Sequence, residues 1–368
     1  HVPHRPLALV TGGGTSVDLD TVRSLENFST GWRSAVAVEH LLRAGYAVVY
    51  LQRRGASATP FARILVEECS SSGSGAAHAS LTLETMDRLL ERGGNIEDGN
   101  DNDDDEYLQR FHAAQDPWMT DPEHSVAASS VPNSNGMGKT ASELHLRRAL
   151  VHSSRLQKAV RERYSTRGRL LTLSFTTVQE YLALLELCAT ALQATARAQV
   201  LMFLAAAVSD FYVANPRKHK IQSDAVSDKL VLELQAVPKT LGILRRSWAP
   251  DAFCVSFKLE TDETMLQRKA QRAMDKYGVH MVVGNLLQTR YDQVHLLLSK
   301  DEWVTLDKPS GGNNNSKEAL EELLLQAIVE AHFAHMSGQG PPTLSAALQQ
   351  KSKRLQRQQW WQRGKQLF

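Results

Sequence analysis

The chain has 368 residues, 42% of them hydrophobic, and its 42 Lys and Arg against 40 Asp and Glu leave a formal net charge of +2. Such a length can bury a large core, in one big domain or two ordinary ones. There is no basic excess to follow a nucleic-acid backbone and no apolar run long enough to cross a bilayer, so neither nucleic acid nor membrane is expected as a partner. The three cysteines, Cys69, Cys188 and Cys254, are too widely spaced for a disulfide framework or a zinc site. A soluble protein of a reducing compartment, the cytoplasm, is expected.

In chain order, Pro6 to Val10 reads as a short buried strand, and Trp32 to Leu42 as a helix from the spacing of Val36, Val38, Leu41 and Leu42. Between them lie two glycine-bearing turns, Thr11-Gly12-Gly13-Gly14-Thr15 and Asn27-Phe28-Ser29-Thr30-Gly31. Backbone N–H groups released by glycine and aimed at a helix N-terminus bind anions without a charged side chain, and the expected ligand is a nucleoside triphosphate. The dinucleotide fingerprint G-x-G-x-x-G does not fit, because Thr15 and Ser16 follow Gly14 and the helix opens only after Gly31. Tyr46 to Leu51 is a second strand, completing a βαβ unit and starting a parallel sheet.

From Ala56 to about Arg167 the composition changes, through Ser70 to Gly75, Gly93-Gly94-Asn95, the acidic run Asp101 to Glu106 and Pro132 to Gly136. This reads as a low-complexity insertion at 61–167, partly disordered, with helical patches at Leu81 to Leu90 and Leu144 to Tyr164. Inside it, Gly136-Met137-Gly138-Lys139-Thr140 ends like a P-loop, but Asn133 occupies the place of the first glycine and no strand precedes it. The acidic run reads as a solvated stretch rather than a cation site.

The sheet resumes at Leu170 to Ser174, and a helix from Thr177 to about Ala196 carries Leu182, Leu185, Cys188 and Leu192 on one face. Val200 to Ala207 is apolar on both faces, as a central parallel strand should be. Ser209-Asp210 follow its C-terminal end, where open α/β sheets bind ligands. Phe211 to Gln235 breaks the alternation: Arg217 to Lys220 is basic and Lys229 to Gln235 alternates as an exposed strand, so the segment reads as a flap over a polyanion. There follow a helix at Pro238 to Trp248, a strand at Ala252 to Phe257, a helix at Asp262 to Tyr277 with Asp262 as N-cap, and a strand at His280 to Gly284. A hairpin of Gln293 to Ser299 with Trp303 to Leu306 and an amphipathic helix at Leu320 to Phe333 close the fold, before a basic, Gln-rich tail at 336–368. The fold class is α/β, a doubly wound, Rossmann-like, mostly parallel sheet in one domain formed by 1–60 and 168–335.

The two N-terminal turns and Leu19-Asp20-Thr21-Val22-Arg23 between them resemble the phosphopantothenate–cysteine ligase family of coenzyme A biosynthesis, in its eukaryotic form. Ala205 to Tyr212, His219-Lys220-Ile221-Gln222-Ser223, Val237-Pro238-Lys239 and Ser256 to Thr261 follow in that family's order. The resemblance implies ligation of 4′-phosphopantothenate to L-cysteine through an acyl-nucleotide, with ATP cleaved to AMP and pyrophosphate and Mg2+ as cofactor. It places Gly13, Gly14, Ser29, Gly31, Phe257 and Asn285 at the nucleotide, with Phe257 against the base and Asn285 bonding it through either end of its amide. It places Asn27, Ala206, Ala207 and Asp210 at phosphopantothenate, with Arg23 entering from the second subunit of a homodimer with shared sites. Asn27, Lys220 and Asp210 are the expected catalytic set, and no metal ligand is assigned. Two positions depart from the family pattern: Ser34 replaces a glycine, and Gln222 stands where bacterial members carry a second flap lysine. The competing readings are a non-catalytic regulatory homologue, and an NADP-dependent oxidoreductase suggested by Gln52-Arg53-Arg54 after the second strand.

Overall fold

In the computed structural model, residues 5–64, 67, 154–221, 230–300, 302–309 and 316–338 are described. Contacts divide the chain into a unit of 1–58 with 168–368 and a second unit of 59–167. Of the second, helix Ser154–Ser165 is described; it buries Leu156, Ala159, Val160 and Arg163, and Arg155 pairs with Glu67 at 2.7 Å. Its N-terminal half of the expected Leu144 to Tyr164 helix, the Leu81 to Leu90 patch, Asp101 to Glu106, the Gly136 to Thr140 turn and residues 339–368 lie outside the described residues.

The larger unit opens with β1 (Leu7–Gly12), a short hairpin of β2 (Ser16–Asp18) and β3 (Ser24–Glu26), α1 (Trp32–Arg43) and β4 (Ala47–Arg53). With α2 denoting Ser154–Ser165, it continues as β5 (Leu170–Phe175), α3 (Val178–Ala196) and β6 (Val200–Leu204). A two-residue pairing of β7 (Phe211–Tyr212) with β8 (Gln235–Ala236) precedes β9 (Phe253–Glu260), α4 (Glu263–Tyr277), β10 (Met281–Leu286), β11 (Gln293–Ser299), β12 (Glu302–Asp307) and α5 (Ser316–Met336).

The eight-stranded sheet runs β12-β11-β10-β9-β6-β1-β4-β5, parallel from β10 to β5 and closed at one edge by the antiparallel β11–β12 hairpin. The chain starts in the middle, winds outward through β4 and β5, then crosses to β6 and winds the other way. The reversal between β1 and β6 opens a crevice at their C-terminal ends, where such sheets hold ligands. Alternate residues Leu9, Leu51, Met202, Cys254 and Val282 form one face's core with Tyr181, Leu185 and Ala189 of α3 and Ala270 and Ala273 of α4. α1 and α5 pack together away from that cluster.

Local chemistry sets the helix starts. Thr177 caps α3 by accepting from the Glu180 N–H at 3.2 Å, while Glu180 accepts from the N–H groups of Thr176 and Thr177, a full capping box. Asp262 caps α4, accepting from Met265 N–H at 2.9 Å.

Three expectations change. Residues 230–234 are exposed but adopt no strand, and only Gln235–Ala236 pairs with Phe211–Tyr212. The expected helix at Pro238 to Trp248 is a short α turn, Leu241–Ile243, running into a π-helical segment, Leu244–Trp248. α5 is not amphipathic in the expected sense: Leu320, Glu321, Leu323, Leu324 and Leu325 are all buried, more than one face of the helix. The β2–β3 hairpin, which hydrophobic spacing did not reveal, is held at its turn by the Asp20 side chain, which accepts from the N–H groups of Val22 and Arg23 at 2.7 Å each.

Candidate active site

Immediately beyond β1 the backbone takes a conformation that only glycine adopts freely: Gly13 has φ +89°, and a β-carbon there would lie 2.3 Å from the Arg53 β-carbon. Gly14 is needed for space, since its β-carbon would sit 1.7 Å from the Asn27 carbonyl oxygen. The turn is laced to the segment after β6. Ala207 N–H donates to Gly13 O at 2.9 Å, Thr15 N–H to Ala207 O at 3.1 Å and Asn27 N–H to Thr15 O at 3.1 Å. The buried Thr15 and Ser209 hydroxyls meet at 2.9 Å, and Ser209 N–H donates to Thr15 Oγ1 at 2.8 Å. Together these bonds set Asn27, Ala206, Ala207 and Asp210 along one wall.

The second wall begins at the N-terminus of α1. Gly31, at φ +76°, is its N-cap residue and supplies no side-chain cap, and the Trp32 N–H donates to Thr30 Oγ1 at 3.4 Å. Ser34 is buried, donating to Gly31 O at 2.7 Å and meeting the Tyr50 hydroxyl at 2.9 Å. It fills the space where a β-carbon on Gly12 would fall, 1.8 Å from Ser34 Oγ. Across the crevice, Phe257 on β9 lies beside Phe203, ring centroids 4.8 Å apart, and Asn285 stands on β10 opposite Leu259.

These walls bound a cavity of about 680 Å3. It brings together Gly13, Asn27, Ser29, Gly31, Ala206, Ala207, Asp210, Phe257 and Asn285. Gly14, Arg23 and Lys220 do not line it. Gly14 acts beneath it, seating Asn27. Arg23 stands on the β2–β3 hairpin, where its guanidinium reaches Asp20 Oδ2 at 3.4 Å and donates to Ile221 O at 3.0 Å. The Ile221 N–H, donated to Asp20 at 3.0 Å, is the largest cause holding the Asp20 carboxyl below the usual carboxylate range. Hairpin and flap are thus tied within one chain, with Lys220 next to the tie; Gln222 lies outside the described residues.

The cavity also contains charged residues to which motif reading gave no role. Lys239 donates to Asp210 Oδ1 at 2.6 Å, both side chains well exposed. Burial lowers the Lys258 ammonium below the usual lysine range, and Lys239 adds to this while Asp210 and Glu260 oppose it. Arg33 in the first turn of α1 bonds Glu321 on α5 at 2.8 Å, Asn285 Oδ1 at 2.6 Å and the Arg290 carbonyl at 3.1 Å. Lys239 and Lys258 sit inside motifs quoted above and were within reach of sequence reading. Arg33 and Glu321 are 288 positions apart, and no spacing connects them.

The NADP reading loses support at Arg53. The Arg53 expected to favour NADP is engaged by Glu26 at 3.1 Å and by the Thr176 carbonyl. Among the described residues no group of three or more His, Cys, Asp and Glu could hold a metal, and no helix is long and apolar enough to cross a membrane.

Residues 173–331 match the family model described as the DNA/pantothenate metabolism flavoprotein C-terminal domain. The chain is 36% identical over 331 residues to phosphopantothenate–cysteine ligase 2 of Oryza sativa subsp. japonica, covering 89% of this chain and 80% of that protein. It is 32% identical over 350 residues to phosphopantothenate–cysteine ligase CAB2 of Saccharomyces cerevisiae, covering 89% and 76%. A solved structure of a Cab2 mutant in complex with phosphopantothenate-cysteine superposes with a TM-score of 0.60 at 30% identity, over 90% of this chain and 88% of that one. The crevice at the β1–β6 reversal, the two glycine turns that line it and a likeness that runs through nearly the whole chain lead to one assignment: this chain belongs to the phosphopantothenate–cysteine ligase family.

Proposed function

We propose that the protein joins 4′-phosphopantothenate to L-cysteine with cleavage of ATP to AMP and pyrophosphate, a step of coenzyme A biosynthesis. The observation that carries this reading is one cavity lined both by Asn27, Ala206, Ala207 and Asp210 and by Ser29, Gly31, Phe257 and Asn285. A carboxylate is a poor electrophile. Its oxygen attacks the α-phosphorus of ATP, pyrophosphate leaves, and the cysteine amine then attacks the acyl carbon and expels AMP as the amide forms and a proton is lost. The chain's part is chiefly to hold the reactants in line.

In this reading Phe257 packs against the base, and the Gly13 turn with the α1 N-terminus takes the phosphates. Asp210 accepts from the pantoyl hydroxyl, and the Asn27 amide donates to charge developing at the acyl centre. Lys220 meets phosphate from the flap, and Arg23 enters the site of a second subunit, its planar fork suited to the 4′-phosphate. Mg2+, when bound, would neutralise charge on the departing pyrophosphate. The chemistry is assigned to 1–60 with 168–335, and none of it to 61–167. With Gln222 in the flap, ATP is the preferred nucleotide over CTP.

The test is pyrophosphate release on mixing enzyme, Mg2+, phosphopantothenate, cysteine and each nucleotide in turn. Release that needs phosphopantothenate and is faster with ATP than with CTP supports the reading. No release with any nucleotide contradicts it.

A further inference from the structure

Among the described residues, the cations that line the cavity are Arg33, Lys239, Lys258 and Arg290. Arg33 donates to Glu321, Asn285 and the Arg290 carbonyl, Arg290 to the Leu287 carbonyl at 2.6 Å, and Lys239 to Asp210. The Lys258 ammonium alone has no hydrogen bond or ion pair among the described residues. The carboxylates whose charge acts on it are held by other lysines, Asp210 by Lys239 at 2.6 Å and Glu260 by Lys269 at 2.7 Å.

A half-buried ammonium without a counter-ion is costly. Burial, with Lys239 and Lys269 adding to it, holds Lys258 below the usual lysine range, a sign of how poorly the protein itself compensates this charge. An anion set against the ammonium supplies what is missing. The nitrogen can be reached: it keeps accessible surface, unlike the hydroxyl of Ser256 two positions earlier on β9, which is sealed and unbonded.

Strand alternation shows which half of the cavity Lys258 serves. Phe257 lies on the Phe203 side of the sheet, so Lys258 leaves β9 from the opposite face, where Cys254 packs against α3 and α4. It is thus turned away from the ring proposed to meet the base and toward Asp210 and Lys239. In the reading above the triphosphate has the Gly13 turn and Lys220, and the 4′-phosphate has Arg23. The amino acid is a zwitterion, and no residue has yet been given to its carboxylate.

We infer that Lys258 is the anion site for the α-carboxylate of the cysteine nucleophile, holding it so that the amine faces the acyl carbon. This rests on the ligase reading above and adds how the amino acid is recognised. The ammonium keeps its proton and makes a charge-assisted hydrogen bond to the carboxylate. Lys239, tied to Asp210, adds positive potential beside it.

The experiment compares L-cysteine with cysteamine, which keeps the amine and thiol and lacks the carboxylate, as nucleophiles at saturating ATP and phosphopantothenate. Full-length wild type, Lys258→Met and Lys258→Arg are measured. The wild type is expected to favour L-cysteine in kcat/KM on the order of 100-fold, the worth of one hydrogen bond between charged groups. In Lys258→Met the value for L-cysteine should fall about 100-fold, chiefly through KM, while cysteamine stays within threefold, bringing the ratio near one. Lys258→Arg keeps the cation and should recover a preference of about 10-fold or more.

Were Lys258 to serve a phosphate, the pantothenate carboxylate or only the packing of β9, both nucleophiles would fall together and the ratio would not move. That result overturns the cysteine site and leaves the ligase reading intact, as does equal wild-type use of cysteamine and L-cysteine. No wild-type turnover with either nucleophile overturns both. Should Lys258→Met fail to fold, Lys258→Gln, which keeps a polar end without the charge, carries the same expectation and the same contradiction.

Discussion

A β-carbon added to Gly14 would lie 1.7 Å from the carbonyl oxygen of Asn27, far inside contact distance and against backbone rather than a flexible side chain. The last glycine of the first turn thus sets the position of the residue proposed to assist acyl transfer. Gly14→Ala must displace Asn27 by an ångström or more. Misplacement of that size costs on the order of 100-fold in rate. Steady-state kinetics should show this loss in kcat/KM with nucleotide affinity less affected, and a variant within threefold of wild type would contradict the linkage.

Asn27 itself can be tested by Asn27→Asp, which replaces the amide donor with a negative charge beside two anionic substrates. Loss of one such donor costs about 100- to 1,000-fold in rate. The loss should fall on pyrophosphate release in single-turnover experiments rather than on nucleotide binding. Near-normal turnover would remove Asn27 from the chemistry.

The N-terminal half of the site was legible in the sequence because it is local: two glycine turns between a strand and a helix, just as Asp262 announces a later helix by short-range capping. What stayed hidden is what the sheet brings together from afar. Thr15 meets Ser209 across 194 positions and Arg33 meets Glu321 across 288, and no periodicity encodes such pairings. The burial of α5 on more than one face was likewise invisible, since Glu321 and His332 look like solvent-facing residues in sequence and are in fact 2% and 0% exposed. The flap strand failed for a different reason: among the described residues 230–234 pair with no strand, and only Gln235–Ala236 does.

His332 within α5 and the half-buried His280 beside it give a pH dependence. His332 donates from Nε2 to the Ala198 carbonyl at 3.2 Å, and its Nδ1 meets the Tyr46 hydroxyl at 2.8 Å, a contact the neutral ring satisfies as acceptor. Burial pushes His332 down to about 4, and burial with the nearby Arg245, His335 and His332 pushes His280 down to about 3. Both stay neutral in the folded state while the unfolded chain takes up protons near pH 6.5. Their contribution is therefore fully present above about pH 6.5 and is lost as pH falls toward 4, each group removing up to about 1.4 kcal/mol per pH unit. Urea unfolding at pH 7.5, 6 and 5 should show a falling stability that is shallower in His280→Asn. Equal slopes would contradict this.

Shared sites can be tested by complementation. Arg23→Ala and Asn27→Ala should each be nearly inactive, and subunit exchange between them should restore about a quarter of wild-type sites, because a mixed two-fold dimer collects both defects in one site and neither in the other. Verified mixed dimers as inactive as their parents would confine the role of Arg23 to its own subunit, whose Asp20 and Ile221 it bonds.

The central claim, that the carboxylate is activated by transfer to the nucleotide, is tested most directly by oxygen tracing. Phosphopantothenate labelled with 18O in its carboxylate is turned over with cysteine and ATP, and the AMP is analysed by mass spectrometry. An acyl-adenylate leaves one 18O in the phosphate of each AMP formed. Unlabelled AMP, or label in inorganic phosphate with ADP as the nucleotide product, would contradict the mechanism.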